Sequence, residues 1–371
     1  MIIRIEELQR ICSKILPAVD SNEISALSTS LEIVCADKKL YINVTNKEYY
    51  VRATLDLDED MDFHATVDAH LFLKLISQIT TDTVELSIAD NILSIHGNGS
   101  YSLPLIYDND KLLELPEIAL NNISSSFPID SAILKSIATF NSKELLKGTA
   151  AQPVQKLYYV DEQGAITFTS GACVNNFTLQ QPIKLFFNSR LVKLFKLFDE
   201  GAIVMTLGFE PISDDIMQTR IRFESSSISI TSILPSDASL FSSIPVTAIR
   251  NRANVDNYPF CATVDKNLLI QALNRLALFN NQSLKPYITF NMSADEMVII
   301  STNNANIEKL YYNNKIPALQ DTVNFQIDYT DLLSTLSDCS ESHLNLHFGD
   351  DSAILICRQN VANIIPLCET I

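Results

Sequence analysis

The sequence predicts an α+β fold made of three similar domains, each with two helices packed on antiparallel sheets. The first observation behind this prediction is a local pattern that occurs six times in the 371 residues. In each copy a short apolar stretch runs into Asp, Asn or Glu, and an amphipathic helix follows. The second observation is that apolar and polar residues alternate between these helices, as they do in half-buried strands. Six copies form three pairs, and a repeat this regular indicates one supersecondary unit used again and again.

Each copy begins with a predicted helix cap. Asp or Asn before a helix accepts hydrogen bonds from the first free N–H groups and complements the helix dipole, whereas Glu is a poorer cap. The copies are IRIEELQRI, ATVDAHLFLKLI, FPIDSAILKSI, LFFNSRLVKLF, ATVDKNLLIQAL and FQIDYTDLLSTL, with spacings of 62, 62, 58, 77 and 63 residues. The predicted cap positions are Glu6, Asp68, Asp130, Asn188, Asp265 and Asp328.

Strands and linkers account for the chain between the helices. Segments such as VELSIADNILSIHGNGSYSLPL and IRFESSSISITSIL have period two and predict strands with one buried face. Two Pro-containing stretches with few periodic apolar residues, LPEIALNNISSS (115–126) and IPVTAIRNRANVDNYP (244–259), predict linkers. The sequence therefore predicts domains at 1–122, 123–250 and 251–371.

The composition favours a cytosolic protein without a membrane segment. No apolar run approaches the roughly 18 residues that a membrane helix needs, and Arg4, Glu6 and Glu7 argue against a signal peptide at the first helix. Hydrophobic residues make up 47% of the chain, which is enough for real cores. The seven cysteines include no CxxC pair, which favours buried, reduced thiols.

The charge is distributed unevenly. The net charge is −17, which by itself argues against nucleic-acid binding. Five predicted helices nevertheless carry twelve bases and six acids, while the rest of the chain carries 15 bases and 38 acids; these helices are 6–16, 68–80, 130–147, 188–198 and 265–285. The twelve bases are Arg10, Lys14, Lys74, Lys135, Lys143, Lys147, Arg190, Lys193, Lys196, Lys266, Arg275 and Lys285. The helices thus form either a basic surface on an acidic protein or an ordinary solvated face.

Signatures of catalysis and of metal binding are missing. The sequence has no GxxxxGK, GxGxxG, HExxH or GxSxG motif. His343 and His347 lie in the alternating segment HLNLHF, which favours ordinary strand histidines. The acidic run at 56–62 lacks the glycine of a calcium loop because Met61 stands there, so a solvated loop is the better interpretation. We expect no enzyme activity, no cofactor and no metal, which leaves surfaces as the functional candidates.

Over its whole length the chain resembles the bacterial sliding clamp, the DNA polymerase III beta subunit. The resemblance rests on the order and size of three paired-helix domains and on four segments: NGSYSLPL, DKNLLIQALNRLALFNNQ, VNFQIDYTDLLSTL and the C-terminal IIPLCETI. It implies a ring of two chains joined head to tail, with helices lining the hole and duplex DNA inside it. It also implies a non-enzymatic processivity factor that tethers the polymerase and the clamp loader through short hydrophobic peptides.

The basic helices suit this function. In helix 188–198, the three bases follow one another at steps of three, and apolar residues occupy another side. Such a helix needs a core on one face and an anion on the other, and duplex DNA supplies phosphates without base readout. We expect the twelve bases to contact DNA. A repeat-built protein-interaction scaffold that never encircles DNA is the competing hypothesis.

The resemblance also assigns a partner groove and a dimer contact. The positions that match the family's peptide pocket are Val154, Ser170, Ala172, Cys173, Val174, Tyr329, Ile364, Ile365, Pro366 and Leu367. The positions that match its dimer contact are Tyr101, Leu103, Leu278 and Phe279. Alternatively, the segment IIPL is only a final strand, and the four contact residues belong to domain cores. The family's Thr-Asp-x-His-Arg-Leu segment is replaced by 170–175, SGACVN, which lacks His and Arg, so we expect a more apolar groove.

Overall fold

The structure is a computed structural model that describes residues 1–19, 25–140, 153–168, 171–199, 201–213, 216–279, 286–301, 305–350 and 353–368. Within these residues the α-helices are α1 (Ile5–Ile15), α2 (Ala26–Thr29), α3 (Ala69–Gln78), α4 (Ser131–Thr139), α5 (Ser189–Leu194), α6 (Ala238–Ser243), α7 (Val246–Arg252), α8 (Lys266–Ala277) and α9 (Tyr329–Asp338). No helix in the described part of the chain is long and apolar enough to span a membrane.

The predicted caps hold for most of the helices. Asp68 accepts a hydrogen bond from the Leu71 N–H at 2.7 Å, Asp265 from the Leu268 N–H at 2.9 Å, and Asp328 from the Thr330 N–H at 2.8 Å. Asp130 accepts from the Ala132 N–H at 2.8 Å. These carboxylates satisfy N–H groups that have no partner within the helix.

The prediction for the first helix was wrong in detail. Helix α1 begins at Ile5, its N-cap residue is Arg4, and no side chain caps it. Glu6 therefore lies in the first turn, where its charge still complements the helix dipole. Because the apolar residue Ile5 is itself buried, packing decides where this helix begins rather than cap chemistry.

The strands are short and antiparallel throughout. In the first third of the chain they are β1 (Ile2–Arg4), β2 (Ser30–Ala36), β3 (Lys39–Thr45), β4 (Tyr49–Asp56), β5 (Phe63–Asp68), β6 (Thr83–Ala89), β7 (Ile92–His96), β8 (Ser100–Pro104), β9 (Tyr107–Asp108) and β10 (Lys111–Leu112). In the second third they are β11 (Ile123–Asp130), β12 (Leu157–Asp161), β13 (Gly164–Phe168), β14 (Ala172–Asn176), β15 (Lys184–Asn188), β16 (Ala202–Ser213), β17 (Ile216–Glu224) and β18 (Ile228–Ile233). In the last third they are β19 (Phe260–Asp265), β20 (Tyr287–Met292), β21 (Glu296–Ile300), β22 (Ile307–Tyr311), β23 (Val323–Asp328), β24 (His343–Asp350), β25 (Ala353–Arg358) and β26 (Val361–Pro366).

The chain divides into two compact units, 1–135 with 190–236, and 136–189 with 237–371. The first unit contains an eight-stranded sheet of order β11-β16-β17-β18-β4-β3-β2-β5 and a four-stranded sheet of order β1-β6-β7-β8. The second unit contains an eight-stranded sheet of order β15-β12-β13-β14-β26-β25-β24-β19 and a four-stranded sheet of order β22-β21-β20-β23. Each eight-stranded sheet thus combines strands from two of the predicted domains, whose boundaries remain a prediction.

Helices bury their apolar stripes against these sheets. Helix α1 places Leu8, Ile11 and Ile15 in the core, each at most 1% exposed, and packs on α3, β3 and β4. In the second unit, Leu269, Leu273 and Leu276 of α8 pack in one cluster with Leu332 and Leu336 of α9. Each such side chain contributes about 1.5–3 kcal/mol when it is fully buried.

The two predicted linkers are more ordered than the sequence suggests. Before the first linker, Leu113 packs in a buried cluster with Tyr50 and Leu115, and within the linker the Glu210 carboxylate accepts hydrogen bonds from the backbone N–H groups of Asn121 and Asn122. The second linker was expected to lack regular structure, but it contains α7, whose Ile249 is buried. A seven-residue helix with one buried residue leaves too little periodicity to be recognised from sequence.

The cap assignments lead to a matched pair of variants. Asp68→Ala removes the acceptor for the Leu71 N–H and should lower the free energy of unfolding by about 0.5–2 kcal/mol. Glu6→Ala removes no cap and should change it by much less. Urea unfolding followed by circular dichroism measures both, and equal losses in the two variants would contradict the assignment.

Candidate functional site

The bases of α1 have different environments. Arg10 is exposed, whereas the Lys14 side chain is only 12% exposed and forms an ion pair with Asp199. The Lys14 Nζ also lies 3.5 Å from the Ser227 Oγ. Lys14 is therefore engaged within the protein, and Arg10 is open to a ligand.

Helix α5 and the 3-10 turn that follows it have the two faces that the sequence predicts. Leu191, Leu194 and Phe195 are at most 1% exposed, while Lys193 and Lys196 are exposed. Arg190 is exposed as well, and its Nη1 lies 3.6 Å from the Glu48 Oε1. The helix therefore presents three cations to solvent, one of them beside a carboxylate.

The bases of α8 are held by the protein. The Lys266 Nζ donates to the Cys339 carbonyl at 2.8 Å. Arg275 makes a bidentate ion pair with Glu308, at 2.7 Å from Nε to Oε1 and 2.8 Å from Nη2 to Oε2. These hydrogen bonds from Arg275 hold the pKa of the Glu308 carboxyl below its ordinary value.

Four of the predicted bases are exposed and have no ion pair within the described ranges: Arg10, Lys74, Lys193 and Lys196. Lys135 is half-buried, and Lys143, Lys147 and Lys285 lie outside the described residues. Long, exposed cationic side chains suit phosphate oxygens because they attract charge without reading bases. The sequence could not reveal the acids that pair with Lys14, Arg190 and Arg275, because each pair forms only in the folded chain.

The predicted partner groove falls on two faces of the second unit's eight-stranded sheet. Side chains alternate between the faces of a strand, and Ile364 and Ile365 are neighbours on β26. Ile364 packs in a cluster with Val174, and Val154 and Ala172 lie against that cluster. The same cluster contains Ile244 and Ile249 and also receives side chains of α6.

The other predicted groove residues lie elsewhere. Ile365 is 3% exposed and belongs to the core cluster of α8 and α9, with Tyr329 and Leu367 packed against it. Pro366 is half-buried at the end of β26, and Ser170 lies outside the described residues. The structure therefore brings Val154, Ala172, Val174 and Ile364 together and separates them from Ile365, Leu367 and Tyr329.

Cys173 points away from the cluster that contains Val174. Its side chain is fully buried, and burial raises the pKa of the thiol to about 12, although the nearby Arg358 guanidinium acts in the opposite direction. The Arg358 Nη1 donates to the Asp338 carbonyl at 2.6 Å. Asn363, which pairs with Cys173 in the ladder, is 3% exposed. Sequence reasoning missed Arg358 and Asn363, although the alternation along β25 and β26 places both on this face.

The predicted dimer residues differ in their exposure. Leu278 and Phe279, just beyond α8, are 80% and 54% exposed. Tyr101 is half-buried on β8, and Leu103 on the same strand is 4% exposed, which agrees with the alternative that Leu103 belongs to a core. Leu278 and Phe279 thus form an exposed apolar pair at the end of a helix that contacts β22, and exposed apolar surface is typical of an interaction site.

The described residues contain none of the ligand sets that hold metal ions in proteins. No group of three or more His, Cys, Asp or Glu side chains there could hold a metal ion. His343 and His347 lie on β24, as the alternating pattern predicts. All seven cysteines are free, and Cys12, Cys35, Cys173 and Cys339 are buried.

Comparison with solved structures decides the fold. No protein-family model matches the sequence, and neither does any curated protein. The DNA polymerase III beta subunit from Pseudomonas aeruginosa aligns with a TM-score of 0.76 at 14% identity, over 100% of this chain and 99% of that one. The chain has the sliding-clamp fold. The DNA polymerase sliding clamp from Bacillus subtilis aligns over the same shares with a TM-score of 0.72 at 15% identity.

A third clamp supports the same conclusion. The beta subunit from Thermotoga maritima aligns with a TM-score of 0.75 at 12% identity, again over 100% of this chain and 99% of that one. Both chains therefore share one architecture from end to end. The predicted α+β clamp fold is confirmed, and the low identities make this chain a divergent example of it.

Thiol labelling tests the placement of Cys173. The folded protein should react with iodoacetamide at the half-buried Cys368 about a hundredfold or more faster than at Cys173, because the buried thiol forms almost no thiolate. Mass spectrometry of tryptic peptides over time gives both rates, and the urea-unfolded chain should react at both sites. Rapid native labelling of Cys173 would instead mean that this residue lines an open groove.

Proposed function

We propose that this protein is a DNA polymerase processivity factor: a homodimeric ring that encircles duplex DNA and slides on it. It tethers the polymerase, the clamp loader and other replication or repair proteins through short hydrophobic peptides. It acts on DNA in the cytoplasm as a non-enzymatic protein without a cofactor. The full-length likeness to sliding clamps supports this proposal, and the sheet topology carries it.

The topology follows one rule. Every four-stranded set consists of a three-strand meander and the strand that precedes a helix, such as β16-β17-β18 with β11. In both eight-stranded sheets, the last strand of one meander pairs antiparallel with the last strand of another: β18 with β4, and β14 with β26. This antiparallel pairing of two meander-ending strands, the joint, thus occurs twice among the described strands.

Two meanders end without this partner. Their last strands, β8 and β22, are each an edge strand of a four-stranded sheet. Edge strands expose unpaired N–H and C=O groups and readily accept another strand. Ile307 and Tyr311 of β22 are 56% and 72% exposed, so the described part of the chain does not cover this edge. Pairing of β8 in one copy with β22 in a second copy would repeat the joint and close a head-to-tail ring.

The exposed bases supply the proposed contact with DNA. Arg10, Lys74, Lys193 and Lys196 offer exposed charges that have no ion pair among the described residues, although the protein as a whole is acidic. Few contacts of this kind bind weakly and without sequence preference, which is what sliding requires. The acidic remainder of the surface repels DNA from other positions.

The partner groove is proposed for the face of β14 and β26 that carries Ala172, Val174 and Ile364. Val174 and Ile364 are buried in this cluster, but Val154 and Ala172 at its margin are only partly buried, as are the α6 side chains Leu240 and Phe241. Partly open apolar side chains of this kind suit a Leu or Phe anchor from a partner peptide. We expect little dependence on polar positions of that peptide, because the family's His and Arg are absent from 170–175.

A repeat-built scaffold that never encircles DNA is the alternative function. It would use the same helices as an ordinary solvated face. The two functions differ in what holds the protein on DNA. A closed ring stays on DNA because it encircles the duplex. A scaffold is held on DNA only by charge attraction, or does not bind DNA at all.

Retention on circular DNA tests encirclement. Protein loaded onto nicked circular duplex should remain bound in moderate salt that removes simple phosphate binders, and cutting the DNA once should release it. Gel filtration before and after the cut measures retention. The Lys193→Gln, Lys196→Gln double variant should load or stay less well and remain a dimer. Equal loss from circular and linear DNA would favour ordinary electrostatic binding.

Charged substitutions beyond α8 test the ring joint. Leu278→Glu together with Phe279→Glu should give a folded monomer, because two charges would have to be buried beside the pairing edge. Leu268→Glu is the matched control, since Leu268 is an exposed apolar residue near the start of the same helix, 53% exposed. Analytical ultracentrifugation gives the oligomeric state. A dimer in the double variant would mean that the contact lies elsewhere.

A further inference from the structure

Glu48 lies beside the basic helix α5 in a position that the backbone determines. The Glu48 N–H donates to the Asn46 Oδ1 at 2.8 Å. The Glu48 carbonyl accepts from the Ile233 N–H at 2.9 Å and from the Ser232 hydroxyl at 3.0 Å. The turn between β3 and β4 is therefore tied to β18, which holds the Glu48 backbone beside α5 and keeps its carboxylate within reach of Arg190.

The Glu48 carboxylate lies at the start of the cationic row of α5. The Glu48 Oε1 lies 3.6 Å from the Arg190 Nη1, and the two side chains are 41% and 44% exposed. Lys193 and Lys196 continue the row and are exposed. One cation of three thus faces an intramolecular acid, while the next two face solvent.

The pair is weak enough to exchange. Exposed ion pairs contribute about 0–1 kcal/mol to stability, and salt screens them further. A DNA phosphate can therefore take Arg190 from Glu48, but part of the gain is lost in separating the pair. A carboxylate held at this position also repels the phosphate that approaches Arg190.

We propose that Glu48 is a built-in competitor of the DNA phosphate for Arg190, and that it lowers the affinity of the ring for DNA. This inference rests on the proposed function, because it assigns a regulatory residue to the DNA-contacting surface. Its consequence is a looser hold on duplex, which favours sliding over tight binding.

The ion pair of Lys14 with Asp199 plays a different part. The Lys14 side chain is only 12% exposed, so removal of Asp199 would leave a largely buried charge without its partner. We expect this pair to join α1 to the segment after α5 rather than to exchange with phosphate. Glu48 is therefore the residue whose replacement should change DNA binding without a loss of stability.

The test is a titration of the full-length protein against a short fluorescent linear duplex, followed by anisotropy across a salt series. Glu48→Gln should bind roughly threefold to tenfold more tightly at about 0.1 M salt, and this difference should shrink as added salt screens the carboxylate. The charge-matched control is Asp295→Asn, which breaks an exposed ion pair with Lys315 (3.4 Å) in the turn between β20 and β21. The control should change affinity much less.

A double-mutant cycle identifies the partner of Glu48. In the Arg190→Gln background, Glu48→Gln should raise the affinity for duplex DNA no more than Asp295→Asn does in the same background. Thermal unfolding of Glu48→Gln should match that of the wild type. The role of Glu48 would be overturned if Glu48→Gln and the control raised the affinity equally, or if the increase persisted in the Arg190→Gln background. Either result would leave the proposed function standing. Failure of every variant and of the wild type to bind the linear duplex would also overturn the role of Glu48. The proposed function is tested separately, and it fails if protein loaded onto circular DNA is lost as readily as from linear DNA.

Discussion

The antiparallel pairing of meander-ending strands is the interaction on which the rest of this structure depends. A strand at a sheet edge leaves a row of backbone hydrogen-bonding groups unpaired. When β18 pairs with β4, the exposed rows of both strands are satisfied, and the same holds when β14 pairs with β26. These joints create the two eight-stranded sheets and the two compact units. They also leave β8 and β22 as meander-ending edge strands without such a partner, from which the proposed ring follows.

Helices and connecting segments depend on these sheets. The helices α1, α3, α4, α5, α8 and α9 each follow a strand that lies beside a meander. Most of their apolar residues are buried, while bases such as Arg10, Lys74 and Lys193 remain exposed. The segment before β11 and the segment that contains α7 pack on the strands that form the joints, through Leu115 and Ile249 respectively. The candidate groove beside α6 and α7 is therefore a consequence of how that joint is covered.

Acidic residues moderate the basic surface of the helices. Lys14, Arg190 and Arg275 each meet a carboxylate from another part of the chain, and these pairs differ in kind. The Arg275 pair is bidentate and reaches Glu308 on the edge strand β22, so it ties α8 to the proposed joint. The Arg190 pair is longer and exposed, and such a pair can exchange. A net charge of −17 is thus compatible with a DNA-contacting surface, because binding depends on where each acidic residue lies more than on the net charge.

The sequence by itself determined the repeat, the α+β class, the helix caps at Asp68, Asp265 and Asp328, and the apolar and basic faces of α5, because caps and periodicity are local. Only the tertiary structure decided which strands join, which bases are paired, and that Ile364 and Ile365 belong to different cores. These features rest on residues far apart in the chain: Lys14 and Asp199 are separated by 185 positions. No local sequence pattern predicts such long-range contacts, because they depend on how the strands of a whole sheet pair.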